Sequence, residues 1–341
     1  MKTLITGGCG YFGDLLAAHL LKAGHSVRVL DLSAAEPPRE GVDYRRADIL
    51  DRDAVSAACA GMEWVFHNVA QVPLAKDRAL FWSVNREGTR ILLEAAAAAR
   101  VRKVVYTSSS AVYGRPRANP VTEETVPSPL EDYGRAKLAG ESLCREHAAQ
   151  GLDVTIIRPR TILGHGRLGI FQILFEWVFQ GVNIPVLGRG DNRYQFVHAD
   201  DLAQACLLAA ARSGPASYNC GAERFGTMRE ALEELCRHAR TGSTVKSVPK
   251  APFLALMRLS SALGLSPLGP YHVMYGSELF FDIGKAAREL GWKPRYSNFE
   301  MIMESYNWYV QNRDRVLSTA GSSAHRSAVS PGALSLLRYL L

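Results

Sequence analysis

Two periodicities alternate through the first half of the chain, and that alternation restricts the fold more than any other feature. Short β-rich runs occur at TLIT, SVRVLD, VDYRRADI, WVFHNVA and KVVYTSSS. Helix-period stretches lie between them at Tyr11–Ala23, Asp51–Ala60, about Ala79 to Ala99, and Tyr133–Ala149, and DVTIIRP is the strand that follows. Strands this apolar, separated by helices, imply a parallel sheet covered on both faces. The first half therefore reads as a doubly wound α/β domain. After Pro159 turn residues become frequent (GHGRLG, NIPVLGRGDN, RSGPAS), with helical stretches at Ala199–Arg212 and Met228–His238. This texture predicts a smaller, loop-rich substrate lobe. The expected division is 1–165 with about 195–218 in the sheet domain, and 166–194 with 219–312 in the lobe. The Ser/Ala/Gly-rich stretch 313–341 is expected to be a mobile tail.

With 341 residues and a formal charge of +7, the chain has ample core volume and a mildly basic surface. Its basic residues form no run and no stripe interleaved with aromatics, which argues against nucleic acid. The six cysteines show no CxxC and no Cys/His cluster, as expected of free thiols in a reducing cytoplasm. No signal-peptide pattern opens the sequence and no apolar run is long enough to span a bilayer, so a cytoplasmic location is expected. Asp200-Asp201 at a helix start reads as an N-cap with dipole support, and His165 and His198 lack metal-ligand spacing, so no metal is assigned.

Immediately after the first strand stands Thr6-Gly7-Gly8-Cys9-Gly10-Tyr11-Phe12-Gly13, opening an apolar helix. Gly7 permits a tight turn, Gly10 lets backbone approach a pyrophosphate, and Gly13 allows close helix–strand packing. The helix N-terminus presents free N–H groups to the phosphates. Asp31 ends the second strand, where a carboxylate can accept from both ribose hydroxyls and repel a 2′-phosphate. With no basic residue immediately after it, NAD is favoured over NADP. This is a Rossmann-type dinucleotide site.

Farther along, Tyr133-Gly134-Arg135-Ala136-Lys137 opens a helix and places Tyr133 and Lys137 one turn apart on one face. A phenol titrates near ~10 and is a poor base at neutral pH. A nearby ammonium favours the phenolate, which can then take a hydroxyl proton during hydride transfer. Of the 13 tyrosines this one alone has Lys at i+4.

The GxxGxxG spacing resembles the extended short-chain dehydrogenase/reductase superfamily, in its NAD-dependent epimerase/dehydratase branch, and the likeness runs from Lys2 to about Val310. Asp48-Ile49, where the family's Asp lies beside the adenine, and Asn85-x-x-Gly88-Thr89 match further family motifs. The resemblance implies a cofactor set of Gly7, Gly10, Tyr11, Phe12, Gly13, Asp31, Asp48, Ile49, Val69, Ala70, Asn85, Tyr133, Lys137 and Pro159. Its S-[S/T]-x-x-V-Y-G motif implies Ser109 as the catalytic hydroxyl, with Ser108 as the rival register. Ser110 and Ala111 stand where the family's 4,6-dehydratases carry an Asp-Glu pair, which argues for an epimerase.

For substrate contacts the resemblance implies Ser109, Ser110, Thr161, Arg193 and Tyr194. Thr161 occupies the place of a family Asn, and Tyr194 the place of a phosphate-binding Arg that Arg193 precedes by one residue. The resulting expectation is an NAD-dependent sugar-nucleotide epimerase, dimeric through the long helices beginning near Ala79 and Tyr133. The alternative is a 3β-hydroxysteroid dehydrogenase- or dihydroflavonol reductase-like oxidoreductase, because the apolar segment from Phe253 to Leu268 resembles the lid of those enzymes. A non-catalytic dinucleotide sensor is expected to lack the Tyr/Lys pair.

Overall fold

Seven parallel strands form the centre of the computed structural model, which describes residues 1–35, 37–71, 78–169, 171–251, 255 and 277–318. In chain order they are β1 (Lys2–Thr6), β2 (Ser26–Asp31), β3 (Val42–Arg46), β4 (Trp64–His67), β5 (Lys103–Thr107) and β6 (Val154–Pro159), followed after three lobe strands by β10 (Ala216–Cys220). Their order across the sheet is β10-β6-β5-β4-β1-β2-β3. The order reverses between β1 and β4, so a crevice opens at the carboxyl ends of those strands, where ligands of open α/β sheets sit.

Burial explains the parallel arrangement. All six residues of β6 are buried, and β1 is buried from Thr3 onward. On one face lie α1 (Tyr11–Lys22) and α7 (Ala199–Ala211), which bury Leu16, Leu20, Leu202 and Cys206 against Ile5, Phe66 and Ile157. On the other lie α2 (Arg52–Cys59), α4 (Thr89–Ala98) and α5 (Asp132–Ala149), contributing Val55, Leu92 and Leu143 beside Leu4, Val104 and Ile156. The long helix expected from Ala79 is built in three pieces, α3 (Arg78–Trp82), a π-helical turn at Ser83–Gly88, and α4.

A second core belongs to the lobe. It gathers α6 (Phe171–Phe179), β8 (Ile184–Leu187), α8 (Met228–Ala239) and α10 (Asn298–Ser318) around Phe175, Phe196, Leu235 and Tyr309. α8 shows why the sequence signal was strong there. Thr227 and Glu230 form a capping box, and Met228, Ala231, Leu232, Leu235 and Cys236 make one buried stripe. Two small parallel pairs complete the fold: β7 (Thr161–Leu163) with β9 (Phe196–His198), which also packs against α7, and β8 with β11 (Val245–Val248) inside the lobe.

The lobe departs from expectation at both ends. α9 (Gly284–Leu290) packs on the sheet core, through Ala286 and the buried Trp292, because the indole N–H donates to the Asp201 carbonyl at 2.8 Å. Residues 313–318, expected to begin a mobile tail, continue α10, where Arg313 holds Glu176 and Val316 is buried. Apart from residue 255, the apolar segment 253–268 lies outside the described residues, as do residues 319–341. Among the described residues no helix is long and apolar enough to cross a membrane.

Candidate active site

The glycine loop joins β1 to α1 beneath the crevice. Gly7 carries the turn with a φ of +74°, and Gly10 is the N-cap of α1. At Gly13 a side chain has no room: a Cβ there would stand 2.2 Å from the Gly7 carbonyl oxygen. The loop is held from the neighbouring strand β2 by Asp31, whose carboxylate accepts from Cys9 N–H at 2.9 Å and from Ser33 N–H at 2.9 Å.

One cavity of about 180 Å³ then collects most of the expected residues. Gly7, Gly10, Tyr11, Phe12, Gly13 and Ala70, all expected at the cofactor, line it together with Ser109, Ser110, Tyr133, Lys137, Pro159 and Thr161. The remaining cofactor candidates support this wall from behind. Asn85 clamps the segment after β4, accepting from Gln71 N–H and donating to the Gln71 and Phe81 carbonyls. Val69 backs Gly7, Ile49 is buried against Gly88, and the Asp48 carboxylate accepts from Leu50 N–H.

Ser109 meets Tyr133 because two turns pack backbone to backbone. Residues Ser110–Tyr113 form a 3-10 turn capped by Ser109, whose hydroxyl oxygen accepts from Ala111 N–H at 3.2 Å. The first turn of α5 rests on that turn at Gly134, where a Cβ would lie 2.4 Å from the Ala111 carbonyl oxygen. Ser109 thereby hydrogen-bonds the Tyr133 phenol. Ser108, the rival register, is buried and donates to Glu141 at 2.7 Å.

The electrostatics differ from the sequence expectation in one respect. Burial raises the Tyr133 phenol, and the opposing influences are the Arg167 guanidinium and the Ser109 hydrogen bond. Lys137 points its ammonium at the Thr107 carbonyl, 2.8 Å away, and burial pulls it down to about 8. The cation whose charge opposes that rise is thus Arg167, from the GHGRLG loop that spacing alone did not connect to the site. Lys137, Arg160 and Arg167 all line the cavity, and among the described residues no carboxylate does.

Three further placements revise the sequence reading. Arg193 is exposed and sandwiched between Phe225 and Phe280, with its guanidinium 4.9 and 4.3 Å from their ring centroids, away from the cavity lining. Tyr194 is buried and its hydroxyl pairs with Thr161 Oγ1 at 2.9 Å. The cap of α7 is His198, which accepts from Asp200 N–H at 3.2 Å, while Asp200 and Asp201 stand inside the first turn. His198, His165 and Glu304 have donor atoms within 4.8 Å of one another. Because His198 Nδ1 accepts from backbone, its Nε2 carries the proton and donates to Glu304 at 2.9 Å, leaving no lone pair there for a metal.

The residues fit a dinucleotide on the structure's own terms. Asn68 lines the cavity with a buried amide nitrogen that has no hydrogen-bond partner, beside a loop whose backbone approaches too closely for any side chain at Gly13. Comparison with known proteins agrees. The uncharacterized protein y4nG of Sinorhizobium fredii is 56% identical over 340 residues, covering 99% of this chain and 86% of that protein. The UDP-glucose 4-epimerase of Mycolicibacterium smegmatis is 30% identical over 332 residues, covering 91% of this chain and 98% of that enzyme. Among solved structures, UDP-glucose 4-epimerase from Thermotoga maritima with UDP-glucose superposes with a TM-score of 0.76 at 24% identity, covering 92% of this chain and all of that one. Residues 3–221 match the model of the NAD dependent epimerase/dehydratase family, and the chain belongs to that family of NAD-dependent enzymes.

Proposed function

We propose that this protein is a sugar-nucleotide epimerase in which Ser109, Tyr133 and Lys137 act at a carbinol carbon. The observation that carries the reading is the meeting of these three side chains in one cavity lined by three cations and, among the described residues, by no carboxylate. Such a lining suits a polyanionic substrate. NAD bound against the glycine loop supplies the hydride acceptor. In the empty site Ser109 donates to the Tyr133 oxygen, which favours the phenolate, and on substrate binding its hydroxyl turns to the substrate oxygen. Tyr133 takes the hydroxyl proton and later returns it. Lys137, fixed between Thr107 and the cofactor cleft, holds a pKa of about 8, close to working pH for proton exchange.

Phe at position 133 keeps the ring and loses the proton acceptor. Tyr133→Phe is expected to reduce UDP-galactose/UDP-glucose interconversion by about 10²–10⁴-fold with NAD affinity within about twofold. Turnover like that of the unaltered protein refutes the assignment. The reaction should proceed with no net absorbance change at 340 nm. Stoichiometric NADH accumulation with an apolar alcohol instead establishes a net dehydrogenase of the 3β-hydroxysteroid type.

A further inference from the structure

Arg158 and Arg160 stand two residues apart at the end of β6, and both are buried. Arg158 shows how a buried guanidinium is satisfied in this protein. Its Nε and Nη2, which share one edge of the planar group, donate to the two carboxylate oxygens of Glu141 at 2.8 and 2.7 Å. Arg313 grips Glu176 with the same two atoms. This edge forms a fork that matches a carboxylate with two parallel hydrogen bonds.

Arg160 has the same fork with nothing in it. Its Nε and Nη2 are buried and lack any hydrogen-bond partner. Its Nη1 donates to Ser110 Oγ at 3.0 Å, and the rings of Tyr194 and Phe281 lie 4.7 and 5.5 Å from the guanidinium carbon. Among the described residues no carboxylate pairs with it, and the only oxygen it reaches is neutral. Leaving charged donors buried and unpaired is costly, so such a group calls for an acceptor that arrives with a ligand. Arg160 lines the cavity that holds Ser109 and Tyr133, and Ser110, its one partner, is the residue next to Ser109.

We infer that Arg160 receives a carboxylate carried by the substrate's sugar, close to the reacting carbon, so that the preferred substrate class is a nucleotide-linked uronate. This rests on the nucleotide-sugar reading above and narrows it. A carboxylate satisfies Nε and Nη2 together, as Glu141 does for Arg158, whereas a neutral hydroxymethyl group offers one oxygen and no charge. Entry of the acid requires a side-chain rearrangement of the size commonly seen on ligand binding.

The test is calorimetric titration of the NAD-loaded full chain with UDP-glucuronate, UDP-glucose and UDP. UDP-glucuronate is expected to bind about tenfold to a hundredfold more tightly than UDP-glucose. In Arg160→Met that ratio should collapse to about one, while the thermal midpoint holds or rises because a buried unpaired cation has been removed. Arg160→Lys, which keeps the charge and loses the fork, should retain only a small preference. A wild-type ratio near one, or a preference that survives in Arg160→Met or stays undiminished in Arg160→Lys, overturns the inference and leaves the nucleotide-sugar reading standing. If UDP, UDP-glucose and UDP-glucuronate all fail to bind, the nucleotide-sugar reading itself falls and this inference with it.

Discussion

Glu141 has no exposed surface, yet five polar contacts converge on its carboxylate. Ser108 donates at 2.7 Å, Arg158 donates through two nitrogens at 2.8 and 2.7 Å, and Arg145 adds 3.1 and 3.2 Å contacts from a half-exposed position. Arg158 is itself buried and also donates to the Tyr113 hydroxyl at 2.6 Å. Glu141→Gln preserves shape but removes the charge, and it turns an N–H group toward a donor. Breaking one partner of a buried pair costs about 3–5 kcal/mol, because the other charge stays buried and uncompensated. At about 2 °C per kcal/mol for a large domain, the thermal midpoint should fall by about 6–10 °C. Adding Arg158→Met removes the stranded cation and should recover at least about half of that loss. Glu94→Gln, at the exposed pair with Arg52, is the control and should move the midpoint by less than about 2 °C. Differential scanning calorimetry at pH 7 measures all of these. A Glu141→Gln midpoint within about 2 °C of wild type, or a double variant no better than the single, refutes the account of β6 and α5 as locked by a buried ion pair.

Two other perturbations have equally definite outcomes. Asp31→Ser removes the carboxylate that holds Cys9 N–H and that we propose faces the ribose, so NADH affinity should drop about tenfold or more while NADPH changes little; an unchanged NADH/NADPH ratio in fluorescence titration excludes the assigned role. His67 is buried, with Nε2 donating to Thr89 Oγ1 at 3.0 Å and Nδ1 accepting from Thr6 at 2.7 Å; burial, aided by the Lys137 cation, lowers its pKa to about 3. The unfolded chain binds a proton here below about 6.5 and the folded chain does not until about 3, so stability is lost as pH falls through that window, by about 3 kcal/mol at pH 4. His67→Gln should lack this component, and urea titrations in which wild type and variant keep a constant stability difference from pH 7 to pH 4 count against it.

Much of this was legible in the sequence because local rules and global fold coincide. β1, β6 and α8 are read correctly since their burial follows periods of 2 or 3.6, or continuous burial, without interruption. The glycine loop and Tyr133–Lys137 are short-range constellations whose spacing is itself the geometry. What escaped is long-range. The charge of Arg167 acts on Tyr133 from a loop that no spacing rule links to α5, and Glu304 reaches His198 from a helix more than a hundred residues later. Arg193 followed a motif register, but its flat guanidinium is taken up between Phe225 and Phe280, a pair of rings that only the fold assembles. The missed signal at Arg160 was available: a charged residue between two site positions, Pro159 and Thr161, just past a wholly buried strand.

The contact between Gly134 and the Ala111 carbonyl also bears on how the protein can vary. Reaction geometry here is gauged by the absence of a methyl group, at a position with no chemistry of its own. Under selection for turnover, position 134 should be as invariant as its neighbour Tyr133, while residues on the solvent side of the same helix, such as Arg135 and Ser142, drift. A census of tolerated substitutions would then point to the spacer between two turns before it pointed to Tyr133, the base we propose.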